Sequence, residues 1–120
     1  MLKPNVYLRF LNLVEALNPK SHIRGLDSTE NQLLNSIMRD DNEGRSVFIG
    51  DLLRQQFMGS QATLHGRVKN LCRLGYIELI TQSDARRKRV MPTRLAYKRF
   101  DMLSGCLWQA AKEIPPVSSL

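Results

Sequence analysis

Four adjacent cations, Arg86, Arg87, Lys88 and Arg89, stand between two short runs of strand-forming residues. Like charges crowded at a hairpin tip repel one another and gain most where a polyanion neutralises them. Such a run offers electrostatic capture of phosphate rather than the making or breaking of bonds. A second group lies upstream, between Ser60 and Arg73. There Leu64, Val68 and Leu71 recur at the spacing of a buried helical stripe. Ala62, Gly66, Lys69 and Arg73 then share the far face, with Thr63, His65 and Asn70 on its shoulders. Small side chains let a helix approach base edges closely, and His65 and Lys69 can donate to the acceptors that guanine displays in the major groove. Gly66 costs about 1 kcal/mol in a helix interior, so it calls for a reason: close approach to a groove, or close packing against another helix. Ser60 and Thr63 stand at the helix start, where free N–H groups favour a phosphate, although capping alone also accounts for Ser60. Gln61 carries the amide that suits adenine, but its angular position lies nearer the buried side.

The charge distribution agrees with this chemistry. The 120-residue chain has a net charge of +7. Residues 54–99 hold eleven basic against two acidic side chains, while the rest of the chain is slightly acidic. A basic segment on a near-neutral body is the footprint expected of a polyanion-binding face. Arg54, Arg94, Lys98 and Arg99 could add backbone contacts to it. Catalysis finds no support: there is no phosphate loop, no H-E-x-x-H, no nucleophile elbow, and no acid and histidine paired by spacing. No cofactor is implied. Cys72 and Cys106 form no C-x-x-C pair and have no histidines at ligand spacing, so no metal site is expected. They read as reduced, buried small hydrophobes, which favours the cytoplasm. No basic group is evidently placed to make Cys72 a redox switch.

These groups need elements to hold them. The composition, 42% hydrophobic and 24% charged, is that of a folded globular chain, and its length suits a single domain over 1–120. From Pro4 to Leu17 only Arg9, Asn12 and Glu15 interrupt an apolar sequence, which reads as a helix ended by Asn18-Pro19 and not as a signal peptide. No run approaches the ~20 apolar residues of a membrane span. A helix apolar on most of its circumference must bury more than one face. One of those faces suits a partner subunit. Asp27 and Glu30 have capping-box spacing ahead of a helix whose buried side is Leu33, Leu34, Ile37 and Met38. A turn at 40–44, a short strand at Val47-Phe48-Ile49 and a helix over 50–56 follow. Phe57-Met58-Gly59 then connects to the helix capped by Ser60, and Gly75 stops that helix. Two short helices joined by a tight glycine-containing turn describe a helix-turn-helix.

Downstream, residues 76–81 read as a strand, 82–87 as a polar tip and 88–91 as the returning strand, which Pro92 ends. Thr93 caps a last helix from Arg94 to about Glu113, with Ala96, Phe100, Leu103, Leu107, Ala111 and Ile114 along its buried side. Cys106 and Trp108 on it read as core or interface. Pro115-Pro116 stops the helix, and 115–120 form a tail.

The passage from Ser60 to Thr93 resembles the MarR-type transcriptional regulators, dimeric bacterial winged-helix proteins. Leu71-Cys72-Arg73-Leu74-Gly75-Tyr76-Ile77-Glu78 is similar to the family's exit from the recognition helix, and Asp84-Ala85-Arg86 through Pro92-Thr93 is similar to its wing. Pro92 stands where the family prefers leucine, and Ala96 where glycine commonly follows. The resemblance implies a mainly α fold with a small β-hairpin wing. Its DNA-binding core would be 27–93 with the wing at 76–92, and terminal helices 1–18 and 94–114 would make a homodimer. It further implies that Arg86 enters the minor groove with Asp84 orienting it. Many relatives hold a small-molecule effector, for which no residue of this chain gives support. The expected function is sequence-specific double-stranded DNA binding by a transcriptional regulator, with helix 60–73 in the major groove and the tip 82–89 on phosphates or the minor groove. The alternatives are a winged-helix adaptor that binds protein and a non-specific DNA binder.

Overall fold

The computed structural model describes residues 5–17, 25–55, 58–84 and 86–112. The expected stop at Asn18-Pro19, the connection at Phe57 and the tail 115–120 lie outside them. The chain is mainly helical, with one small antiparallel sheet, in the order α1 (Val6–Leu17), α2 (Ser28–Asn42), β1 (Val47–Phe48), α3 (Ile49–Leu53), α4 (Gln61–Arg73), β2 (Ile77–Thr81), β3 (Lys88–Pro92) and α5 (Arg94–Lys112). It groups into two compact units, one of residues 1–25 and 98–120 and one of Leu26–Tyr97.

In the Leu26–Tyr97 unit, helix α2 starts where the sequence places it. The Asp27 Oδ1 accepts the Glu30 N–H at 2.8 Å, and Glu30 Oε1 accepts the Asp27 N–H at 2.9 Å, which closes the capping box. Leu33, Leu34, Ile37 and Met38 are buried against α4 and the sheet. Helix α3 starts at Ile49, one residue earlier than the sequence suggests, because Asp51 Oδ2 reaches back to accept the Phe48 N–H at 3.3 Å. Ile49 is thereby drawn out of the strand. Ser60 caps α4 by accepting the Thr63 N–H at 3.2 Å, and Leu64, Val68 and Leu71 are its buried residues. At the other end, Gly75 (φ +88°) lets the Tyr76 N–H reach Leu71 O and its own N–H reach Cys72 O, both at 3.0 Å. These two bonds are the paired closure of a Schellman end, with buried Tyr76 following the glycine.

The sheet order is β1-β3-β2. Val47, Val90 and Leu79 align in one row, and Phe48, Arg89 and Ile80 in the next. Val47 and Val90 are buried, so alternation directs the Phe48-Arg89-Ile80 row to the outer face. Strand β3 continues through Pro92, one residue further than the sequence suggests. Pro92 faces Ile77 at a register where the bond is carried by Thr93 N–H to Tyr76 O (3.0 Å), and β1 has already ended there. Its missing donor therefore costs no ladder bond. The Thr93 hydroxyl donates to Gly75 O and accepts the Ala96 N–H at 3.4 Å, joining the α4 exit to the start of α5.

The other unit contains α1 and most of α5. Asn5 Oδ1 accepts the Leu8 N–H at 2.9 Å and caps α1. On α1 the half-buried residues are Val6, Arg9, Phe10, Leu13, Val14 and Leu17, whereas Tyr7, Leu8 and Leu11 are exposed. The buried positions of α5 are Ala96, Arg99, Cys106 and Ala110, while Leu107 is 56% exposed and Ala111 is exposed. Ile114 lies outside the described residues. The expected stripe through Phe100, Leu107 and Ala111 is thus rotated by about one residue. Ala96, Cys106, Ala110 and the large Arg99 take the inner positions and a leucine stays outside, a choice that hydrophobic size alone does not predict.

Candidate nucleic-acid interface

Helix α4 presents an open face built as the sequence suggests. Ala62, His65, Gly66, Lys69 and Arg73 are exposed, as are Gln61 and Thr63 at its start and the cap Ser60. Gln61, expected nearer the buried side, is solvent-facing as the first helical residue. Among the described residues, a methyl group placed on Gly66 would meet no atom within 4 Å beyond its own turn of helix. Of the two reasons offered for this glycine, packing against another helix finds no partner among the described residues. Its neighbours on this face, Lys69 and Arg73, are cationic.

On α4, Asn70 is the exception among the candidate contacts. It is half-buried, its amide donates to Glu30 Oε2, and its Oδ1 accepts Arg73 Nε at 3.1 Å. Beside it, Arg67 Nε lies 2.7 Å from Asp27 Oδ2. The capping box of α2 therefore works twice. One oxygen of each carboxylate closes the helix start, and the other holds α4 through Arg67 or Asn70. Glu30 is only 3% exposed, and a buried carboxylate needs the hydrogen bonds that Asp27 N–H and Asn70 supply. The capping box was legible because it is local. Its second set of partners lies forty residues away in sequence, for which spacing carries no signal.

The hairpin cations divide by partner. The Arg87 guanidinium lies over the Phe48 ring at 3.8 Å from its centroid, a cation–π contact that adds to the β1–β3 pairing at the hairpin tip. Arg89 is half-buried in the row between Phe48 and Ile80, and its Nε is buried with no hydrogen-bond partner. Arg86, with its side chain 95% exposed, and Lys88 project freely into solvent. Asp84 Oδ1 accepts the Arg86 N–H at 3.1 Å, which fixes the backbone of the turn, and stands 3.9 Å from Arg86 Nε. Across a small cleft from this turn stands Arg54, held by Asp51 Oδ1 at 2.7 Å.

Of the two cysteines expected to be buried, Cys106 is buried and Cys72 only half-buried; the burial of each pushes its thiol pKa up, which disfavours the reactive thiolate. Among the described residues no group of three or more His, Cys, Asp or Glu side chains could hold a metal ion, and no helix is long and apolar enough to cross a membrane. Compared with known protein families, with curated proteins and with solved structures, the chain matches none.

Proposed function

We propose that the protein binds double-stranded DNA as a MarR-like winged-helix regulator of transcription in the cytoplasm. In this reading α3 and α4 form the helix-turn-helix and β2–β3 the wing. Helix α4 enters the major groove by its Gly66 face, and Arg86 and Lys88 meet phosphates or the minor groove alongside. The observation that carries the reading is the open space over Gly66 on a cationic helix face. A glycine that costs helix stability without relieving any internal contact is accounted for by a surface that must come close to the chain. The exposed hairpin cations supply the sequence-independent share of affinity, and side chains on the α4 face supply discrimination between bases.

Exposed Tyr7, Leu8 and Leu11 on α1, with Leu107 and Trp108 on α5, support a second copy of the chain as the partner of the terminal helices. A homodimer would then set two half-sites about 34–36 Å apart. The same apolar side chains favour, as a second reading, an adaptor that binds another protein. Capture of fragmented genomic DNA by the protein, followed by sequencing, separates the readings. Enrichment of a common two-fold motif is the expected result. Uniform recovery would replace sequence-specific binding by general DNA binding, and recovery of no DNA would leave the adaptor.

A further inference from the structure

Between α3 and the β2–β3 turn lies a cleft of about 170 Å³, walled by Phe48, Asp51 and Arg54 on one side and Arg86, Arg87 and Lys88 on the other. Pockets for organic ligands run roughly 300–1,000 Å³, so this space excludes a metabolite-sized effector. A water's share of liquid volume is about 30 Å³, and a phosphate group with part of its hydration fits. The charge of the walls, four cations against one carboxylate, asks for an anion.

Two of these cations, Arg54 and Arg87, are also positioned before any ligand arrives. Asp51 Oδ1 holds one nitrogen of Arg54, Nη2, at 2.7 Å, and the guanidinium folds over Gly50, whose added methyl would come 3.5 Å from Arg54 Nη1. Arg87 is held by its face on Phe48, a contact that consumes none of its N–H donors. A guanidinium carries five donors in a rigid fork that matches phosphate, so both arginines keep donors for a ligand in the cleft. Asp51 itself is occupied by Arg54 and by the Phe48 N–H, which lessens its repulsion of an anion.

We propose that this cleft seats one phosphate group, bound jointly by Arg54, Arg87 and Lys88. Its identification as a backbone phosphate rests on the DNA-binding reading above; the seat itself does not. A bound phosphate would tie the α3 side of the cleft to the wing, making the wing's position on the duplex part of one ion cluster.

Two measurements on the full chain test this. In the first, inorganic phosphate is titrated against chloride of equal ionic strength while the side-chain Nε–H resonances of Arg54 and Arg87 are followed. Both should move together and saturate, and Arg54→Gln should abolish the Arg87 response. In the second, the salt dependence of duplex binding is compared between the wild type and Arg54→Gln/Lys88→Gln. One shared phosphate lowers the slope by about 0.9, whereas two separate phosphates lower it by about 1.8. Joint shifts with a fall of about 0.9 establish the seat on the backbone. Joint shifts with an unchanged slope keep the phosphate site and remove DNA as its source. Absence of joint shifts, or a fall of about 1.8, overturns the shared seat. Failure of the wild type to bind any duplex ends the DNA reading, and the phosphate titration still decides the cleft.

Discussion

Replacing Gly66 by alanine sets two demands on one position against each other. Nothing among the described residues opposes the methyl, and alanine is favoured over glycine in a helix interior by about 1 kcal/mol. Thermal unfolding of Gly66→Ala should therefore move upward while duplex affinity falls. A rise in both would show that no surface approaches this face. Gly75 is the contrasting case: its φ of +88° is costly for any other residue, so Gly75→Ala should lower stability by about 1 kcal/mol. Glu30→Ala leaves the Asn70 amide and the Asp27 N–H without their acceptor, and an unsatisfied buried group costs about 1–3 kcal/mol. Its melting midpoint should drop, and Glu30→Gln, which keeps the acceptor for Asp27, should lose less. Cys72 makes a pH prediction. Burial raises its thiol pKa, so the neutral form persists to higher pH than for a free cysteine. Alkylation at neutral pH should be slow and should accelerate only above the usual thiol range. Rapid labelling near pH 7 would contradict that environment.

At the scale of elements, the strands of the hairpin are held by the β1–β3 pairing and by buried Ile77 and Val90, and a stacked pair, Arg87 on Phe48, ties its tip to β1. Such a contact is worth roughly 0.5–1 kcal/mol at an exposed site, enough to order a turn but not to hold a fold. Phe48→Ala should accordingly raise amide exchange over residues 82–88 and leave exchange in α2 and α4 protected. Uniform loss of protection would make Phe48 a general core residue instead. The sequence made the cations of this hairpin conspicuous, yet it could not divide them, because which arginine meets Phe48 depends on strand register. What was legible elsewhere follows the same rule. The capping box at Asp27 and Glu30, the Ser60 cap, the Leu64-Val68-Leu71 stripe and the Gly75 stop are all decided within one or two turns of chain. The hold of Glu30 on Asn70 and the continuation of β3 through Pro92 are decided by distant partners. On α5, Cys106 and Ala110 are inside and Leu107 outside, against the ranking by hydrophobic size. Of the candidate contacts, Asn70 is drawn off the open face of α4 for the same reason, and Arg99, only 5% exposed on α5, is not at the surface where a phosphate contact was expected.

In the whole molecule, the Leu26–Tyr97 unit carries a cationic face, and the other unit leaves apolar side chains of α1 and α5 in solvent. Large side chains such as Trp108 and Tyr7, 67% and 65% exposed, are costly to leave in water at roughly 25 cal/mol per Å² of apolar surface. Sedimentation should show a dimer at micromolar concentration, and Leu8→Glu with Trp108→Glu should yield monomers with weakened duplex binding. A monomeric wild type would leave these side chains to another partner. The central claim, that the open α4 face and the hairpin together grip a duplex, is tested most directly by binding to a captured fragment across 50–200 mM salt. Log K should fall linearly with log salt, at about −0.9 per phosphate neutralised, and Arg86→Ala should make the slope shallower by about that one step. A complex that ignores salt, or no complex with any duplex at 50 mM, would contradict it.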